Sequence, residues 1–336
     1  MRLAVYSRHG DENDTLFIRE VLAALHDMGC KLFLHEHCKE VTMWATAYRS
    51  CEKRSSGERG DDSSMWATAS RSCEKQSVVE HCENHDHDMV SGYFSNHEEL
   101  SRLQPVDFVL SFGGDGTYID AANLVGDLNI PLLGVNTGRI GFLTAVNRNN
   151  YLPCFEKLLA GQYVLENRAL LHLESSQPLQ LDSNFALNDI TVRTSDENSI
   201  NAIKVWVGGK PVNTYWGDGL IIATPTGSTA YSLSCGGPII VPDANVNVLT
   251  PIASHTLAVR PMVISANEEI RIVVESRNNS FSLALDSHRV VVENPVELRI
   301  TKEKFRIQTV LFEDTDFYRI IREKLLWGID KRNLSV

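Results

Sequence analysis

The stretch Gly113-Gly114-Asp115-Gly116-Thr117 sets one carboxylate among three glycines, directly after the mostly apolar run Phe108–Phe112. Glycines at the end of a buried strand permit positive φ and let a phosphate reach main-chain amides. The N-terminus of a following helix adds a partial positive field that favours the same anion. Gly113, Gly114, Gly116 and Thr117 are therefore the candidate phosphate-donor loop. A carboxylate beside a phosphate is electrostatically poor unless it holds a divalent cation or takes a proton from an attacking hydroxyl. Both roles belong to phosphoryl transfer, where positioning and charge stabilisation dominate. No lysine follows the glycines, so the loop is not a P-loop, and it lacks the spacing of the dinucleotide fingerprint. A plain tight turn, with Asp115 capping the helix, is compatible with the same five residues.

Other segments carry chemistry of the same kind. Asn136–Thr144, NTGRIGFLT, is a second strand-end loop, with Gly138 and Gly141 and with Arg139 as a source of positive charge. Gly217–Ile240, GDGLIIATPTGSTAYSLSCGGPII, packs hydroxyls and small residues behind the strand Leu220–Ala223. Such a run can wall a flat base or a ribose; a hydroxyl-rich β turn is its bland alternative. His81–Asp88 holds His81, Cys82, His85 and His87 without the paired short-loop spacing usual for metal ligands. It reads as a solvated polar loop, and no metal ligand is assigned to any residue.

These loops need elements to hold them. RLAVYS is a short buried strand, and DTLFIREVLAALHDMG has Phe17, Val21, Leu22 and Leu25 on one helical face, with Gly29 as a stop. KLFLHE is a second strand, so the chain opens β-α-β. PVDFVLSFGGDGT and IPLLGVNTG repeat the grammar around a helix from about Tyr118 to Val125. Apolar strands separated by helices indicate a parallel sheet covered on both faces. MWATAYRSCEK at Met43–Lys53 returns as MWATASRSCEK at Met65–Lys75, with one position changed. Two copies are too few for a solenoid, and 41–90 reads as a duplicated insertion or mobile loop. From about Val164 the pattern alternates. IKVWVGGKPVNTY turns at Gly208-Gly209, and further short strands turn at Asn278-Asn279 and Asn294-Pro295, an antiparallel β domain. A final helix carries Phe317, Ile320, Ile321 and Leu325 on one side.

The 336 residues suffice for two domains, and a net charge of −11 argues against a nucleic-acid partner, which needs a basic surface. Apolar runs are too short for a signal peptide or a membrane span. Seven cysteines without small-domain spacing read as reduced thiols. The expectation is a cytoplasmic protein with no membrane partner.

GGDGT, NTGRIGFLT, ALND, DGLIIATPTGSTAYSLSCGGPI, PIASHTLAVRP and REKLLWGIDKR, taken together, resemble a bacterial NAD kinase in residues and order, from Leu110 to Arg332. The glycine turn alone is shared with lipid kinases and phosphofructokinases; the TPTGSTAYSLS run is specific. The resemblance implies transfer of the ATP γ-phosphoryl to the 2′-hydroxyl of the adenosine ribose of NAD, with a divalent cation, Mg²⁺ foremost, giving NADP. It implies an α/β N-terminal domain with a mostly parallel sheet (1–148) and a β-sandwich domain (149–312). A C-terminal helix (313–336) would return to the first domain, and the assembly would be a homodimer or homotetramer. Asp115 would be the general base and, with Gly116 beside it, would also belong to the NAD-binding residues. Asn188 and Asp189 would hold polar edges of the dinucleotide, and Asp218 would contact its nicotinamide side. Thr226, Thr229, Ala230, Tyr231 and Ser234 would line the NAD pocket. ALDSHR departs from the family's Asp-Gly-Gln, which leaves Ser287 and His288 without a role. ASHTLAVRP keeps His255 and Arg260 but not an aromatic residue before the arginine. The alternatives are a lipid kinase sharing the turn, against which the hydroxyl-rich segment and acidic balance weigh, and a non-catalytic NAD(P) sensor, against which Asp115 weighs.

Overall fold

The computed structural model describes residues 1–8, 12–39, 41, 89–138, 141–144, 146–195, 201–276, 279–313 and 316–327. The duplicated segment, the His81–Asp88 cluster and Arg139 lie outside the described residues. Contacts divide the chain into two units, Met1–Leu124 with Ile130–Tyr163, and Val125–Asn129 with Val164–Val336.

The first unit runs β1 (Arg2–Ser7), α1 (Glu12–Asp27), β2 (Lys31–His35), β3 (Val90–Phe94), α2 (His97–Arg102), β4 (Phe108–Phe112), α3 (Asp115–Val125), β5 (Leu132–Val135) and α4 (Tyr151–Leu159). Its strands lie in the order β3-β2-β1-β4-β5, and each neighbouring pair is parallel. Burial explains their composition. Leu3, Ala4, Val5, Leu110, Leu132 and Leu133 are wholly enclosed, as expected where helices cover both faces. The order reverses between β1 and β4, and open α/β sheets bind ligands outside the carboxyl ends of their strands at such a point. The unit extends past the boundary expected at Arg148. The Tyr151 ring on α4 stands edge-on to Phe17 of α1 at 5.5 Å, and its hydroxyl donates to Glu20 Oε1 at 2.6 Å. Tyr163 stacks edge-on with Phe108.

The second unit begins with β6 (Val164–Arg168), which pairs antiparallel with β19 (Ile307–Leu311). Between them lie two six-stranded sheets. One is ordered β11-β10-β15-β18-β7-β8, the other β14-β13-β12-β9-β16-β17. The first is built from β7 (Leu171–Ser175), β8 (Phe185–Ala186), β10 (Asn201–Val207), β11 (Lys210–Gly217), β15 (Ile270–Glu275) and β18 (Glu297–Lys302). The second is built from β9 (Asp189–Thr194), β12 (Gly219–Ala223), β13 (Val246–Ile252), β14 (Met262–Ser265), β16 (Ser280–Leu285) and β17 (His288–Glu293). Ile190, Val192, Leu220, Ile222 and Leu283 of the second sheet share one buried core with Ile203, Val205, Ile272 and Leu298 of the first, a β-sandwich. Ile221 and Ala223 point the other way, into a small apolar cluster against Tyr231 and Cys235. β12 is thus covered on both faces, which is why GLIIA is apolar without alternation.

Gly208 and Gly209 both have positive φ and form the expected turn between β10 and β11. A further turn, at Asp286-Ser287 between β16 and β17, has no glycine to mark it, and Asp286 adopts φ 51°. The last helix, α6 (Phe317–Leu325), follows the short α5 (Tyr231–Ser234). Asp316 caps it by accepting from the Arg319 amide at 2.7 Å. Contacts group it with the second unit. The described cysteines, Cys30, Cys38, Cys154 and Cys235, are free thiols.

Candidate active site

In the first unit the glycine turn follows β4 at the switch point. The helix starts at Asp115 rather than near Tyr118, so Gly116 belongs to its first turn. Asp115 does not cap its own helix. Its Oδ2 accepts from the Phe142 amide at 2.9 Å and its Oδ1 from the Leu143 amide at 3.0 Å. Two main-chain donors fix the half-buried carboxylate, and each oxygen keeps a lone pair for a substrate hydroxyl. The loop that supplies those amides is itself pinned. Thr144 Oγ1 accepts from the Gly141 amide at 3.0 Å and from Asn136 Nδ2 at 3.2 Å, and Asn136 Oδ1 accepts from the Gly138 amide at 2.8 Å. A Cβ at Gly141 would lie 1.8 Å from Asp115 Oδ1, so only glycine admits the carboxylate there.

The donor-loop residues divide by role. Gly113 takes φ 148°, and a Cβ on it would meet Thr117 Oγ1 at 2.3 Å. Thr117 is accordingly buried beneath the turn and supports it. Gly114 has open space where a side chain would be, and it is the exposed face of the turn. Arg8, which composition alone did not single out, engages the Asp120 carboxylate and lies against Gly116.

In the second unit Asn188 and Asp189 sit where β9 begins, and a carboxylate ninety-seven residues away in sequence shapes them. Asp286 Oδ2 accepts from the Leu187 amide at 2.8 Å, and its Oδ1 accepts from Asn188 at 2.7 Å and Asp189 at 3.1 Å. Asp189 is buried, and Thr191 Oγ1 donates to its Oδ1 at 2.8 Å. Burial, and then the charge of Asp286, push the Asp189 carboxyl up to about 7. Burial raises Asp286 as well, while its three amide donors oppose the rise. The pair therefore does not carry two full charges near neutrality, and the amides favour the charge on Asp286.

The TPTGST run closes over this turn. Gly227 admits the Asn188 carbonyl, whose oxygen would lie 2.0 Å from a Cβ there. Asn188 O accepts from the Thr224 amide at 2.8 Å, and Thr224 Oγ1 donates to Leu187 O at 2.6 Å. Ser228 Oγ donates to Pro225 O at 2.6 Å, Thr229 Oγ1 to Thr226 O at 3.1 Å, and Ser232 Oγ bonds Thr250 Oγ1 at 2.7 Å. The hydroxyls of Thr224, Ser228, Thr229 and Ser232 thus each have a partner within the fold. Their hydroxyls satisfy the tight turn itself, because a buried polar group must find a partner.

Thr226 is buried, 3.5 Å from Nη1 of Arg168, a buried guanidinium that also pairs with Glu166. Ala230 links the two helical turns, Ser234 is exposed, and Asp218 is half-buried in the bend between β11 and β12. Tyr231 stands over the outer face of the sheet, with Arg193 5.9 Å from its ring centroid. Register places Asp189, Thr191 and Arg193 on alternate positions of β9, opposite Ala223, Ile221 and Gly219. Those three side chains make a polar strip on that face, beside the apolar cluster of Ile221 and Ala223 under Tyr231. His288 Nδ1 lies 3.3 Å from Asp182 Oδ2, and Ser287 completes the turn that presents Asp286. His255 is held through its amide to Trp216 O, and Arg260 Nη1 donates to Leu257 O and Val259 O on an exposed loop.

The chain thus joins a parallel α/β unit, with a fixed carboxylate in the glycine turn after β4, to an antiparallel sandwich. The chain aligns with yeast NADH kinase solved with NADH at a TM-score of 0.77, with 19% identity over 100% of this chain and 90% of that one. It aligns with an NAD kinase from Archaeoglobus fulgidus solved with ATP at 0.66, with 21% identity over 97% and 99%. Residues 30–163 match the ATP-NAD kinase N-terminal domain, and 187–312 match the ATP-NAD kinase C-terminal domain. The NAD kinase of Cytophaga hutchinsonii is 40% identical over 73% of this chain and 84% of its own length. That of Flavobacterium psychrophilum is 43% identical over 71% and 82%. The chain belongs to the NAD kinase family.

Proposed function

We propose that the chain transfers the γ-phosphoryl of ATP to the 2′-hydroxyl of the adenosine ribose of NAD, forming NADP. The observation that supports this most is the Asp115 carboxylate, fixed by the amides of Phe142 and Leu143 beside the open face of the glycine turn. A carboxylate is too weak a base to ionise a sugar hydroxyl beforehand. It takes the proton as the new phosphorus–oxygen bond forms, a contribution of about 10²–10⁴ in rate. Gly113, Gly114 and Gly116 form the turn that takes the donor phosphates. The Gly113 amide is held by Val135 O at 2.9 Å, which leaves Gly114 and Gly116 to offer main-chain amides, and Thr117 supports the turn from beneath. Asn188 and Asp189 hold polar edges of the dinucleotide, and Asp189 accepts from ribose hydroxyls once ionised. Asp218 contacts the nicotinamide side. Thr226, Thr229, Ala230, Tyr231 and Ser234 shape the rest of the NAD pocket.

Among the described residues no three His, Cys, Asp or Glu side chains group to hold a metal. The magnesium ion of the proposed reaction would be carried by nucleotide phosphates and water, as is usual for this ion. When bound, the ion neutralises charge on the donor phosphate oxygens. The protein is read as a cytoplasmic homodimer or homotetramer on its family resemblance, and no described helix is long and apolar enough to cross a membrane.

The test is an assay of the purified chain with NAD, Mg²⁺ and ATP that reads NADP with an NADP-specific dehydrogenase. NADP formation is expected. Dinucleotide binding without NADP from ATP, other nucleoside triphosphates or polyphosphate would favour a sensor.

A further inference from the structure

We infer that Arg8 is a phosphate-binding residue of the donor site, meeting the terminal phosphoryl groups of the nucleoside triphosphate across from the glycine turn. This rests on the reading of that turn as the donor site, and three observations carry it further.

The first is position. Register pairs Ser7 of β1 with Phe112 of β4, so Arg8 and Gly113 leave adjacent parallel strands side by side. Strand order reverses between these two strands, and the crevice outside their carboxyl ends is the ligand site of an open α/β sheet.

The second is geometry. Arg8 Nε engages Asp120 Oδ2, and the Tyr6 hydroxyl donates to the same oxygen at 3.4 Å. Asp120 lies one helical turn beyond Gly116 on the same face of α3. A Cβ on Gly116 would stand 3.1 Å from Arg8 Nη1. The guanidinium therefore lies along the first turn of α3. One edge is on Asp120, and Nη1 is at the first turn of the helix, against Gly116. Gly116 has no Cβ to push it away.

The third is charge. Asp115 sets a negative group beside an incoming triphosphate, and a cation nearby offsets that repulsion. A guanidinium has more donors than one carboxylate uses, so pairing with Asp120 leaves capacity for a phosphate. As a stabilising device the pair is poor, since the Arg8 side chain is 47% exposed and solvent-exposed ion pairs contribute little to stability. Its effect lies elsewhere. Asp120 and Tyr6 hold a long side chain in one place before the phosphate arrives, which lowers the ordering cost of binding.

Steady-state kinetics of the full chain, with ATP and NAD varied separately and inorganic tripolyphosphate as a competitor of ATP, test this. Arg8→Gln should raise the KM for ATP and the inhibition constant of tripolyphosphate about tenfold, on the order of one charge-assisted hydrogen bond. The KM for NAD should stay within about a factor of two of wild type. Wild-type values for ATP and tripolyphosphate in an active Arg8→Gln enzyme would overturn the inference and leave the donor-site reading standing. A wild-type chain forming no NADP from ATP would overturn both. Should Arg8→Gln fail to fold, Arg8→Lys decides, since a point charge does not reproduce the guanidinium fork. A severalfold higher KM for ATP in that variant supports the inference, and an unchanged one overturns it.

Discussion

Asp115 and Asp189 are the same residue held in contrasting ways. Asp115, in the α/β unit, is half-buried and receives two main-chain amides from a loop folded for that purpose. Asp189, in the sandwich, is buried, receives one hydroxyl, and feels a second carboxylate close by. Environment rather than residue type divides the labour. In the proposed reaction the first arrangement would suit proton transfer, which needs an oriented, accessible carboxylate, and the second would suit a surface for recognition.

Removing the support of each carboxylate sharpens the contrast. The largest effect is expected in the sandwich. Asp286→Ala strips the acceptor from three amides, and each unsatisfied donor costs about 1–3 kcal/mol. A loss of about 3 kcal/mol or more in urea denaturation, together with loss of NAD binding, is the expected result. A variant as stable as wild type would show that solvent replaces the carboxylate.

In the first unit, Gly141→Ala pushes a methyl group into Asp115. Misplacing a reacting group by about 1 Å costs about 100-fold in rate. kcat should fall by that order while the dissociation constant of NAD holds. Loss of NAD affinity instead would mean that the units do not divide the roles as described.

The smallest effect is the pH dependence read at Asp189 in the sandwich. The carboxyl of Asp189 is raised from 3.8 to about 7. Over that window the folded chain keeps a proton that the unfolded chain releases. Stability from this group is therefore highest below the unfolded value and falls as pH rises through about 7. Asp189→Asn, which has no proton to lose, should gain melting temperature relative to wild type between about pH 5 and pH 8, on the order of 5 °C. Parallel curves would contradict the assignment. NAD affinity of the wild type should strengthen over the same range as the carboxylate forms.

Local signals made much of this legible in the sequence. The glycines of the donor turn, the apolar runs of β1 and β4 and the Gly208-Gly209 turn announce themselves within a few residues. What stayed hidden depends on pairings distant in sequence. Arg8 gains meaning only when β1 and β4 lie side by side and Asp120 comes within reach. Asp286 looks like any turn aspartate until three amides nearly a hundred residues earlier bond to it. Composition likewise cannot show that the hydroxyls after Ala223 find partners in main-chain carbonyls and in Thr250. Helix α4 carries Tyr151 and Phe155, yet only its packing on α1 showed that the first unit extends to Tyr163.

The division of roles is tested most directly by Asp115→Asn, measured for both turnover and dinucleotide binding. The amide is nearly isosteric and cannot accept the proton. NADP formation should fall about 10²–10⁴-fold while NAD binds with unchanged affinity. An Asp115→Asn enzyme that turns over at the wild-type rate, or one that loses its hold on NAD, would contradict the account.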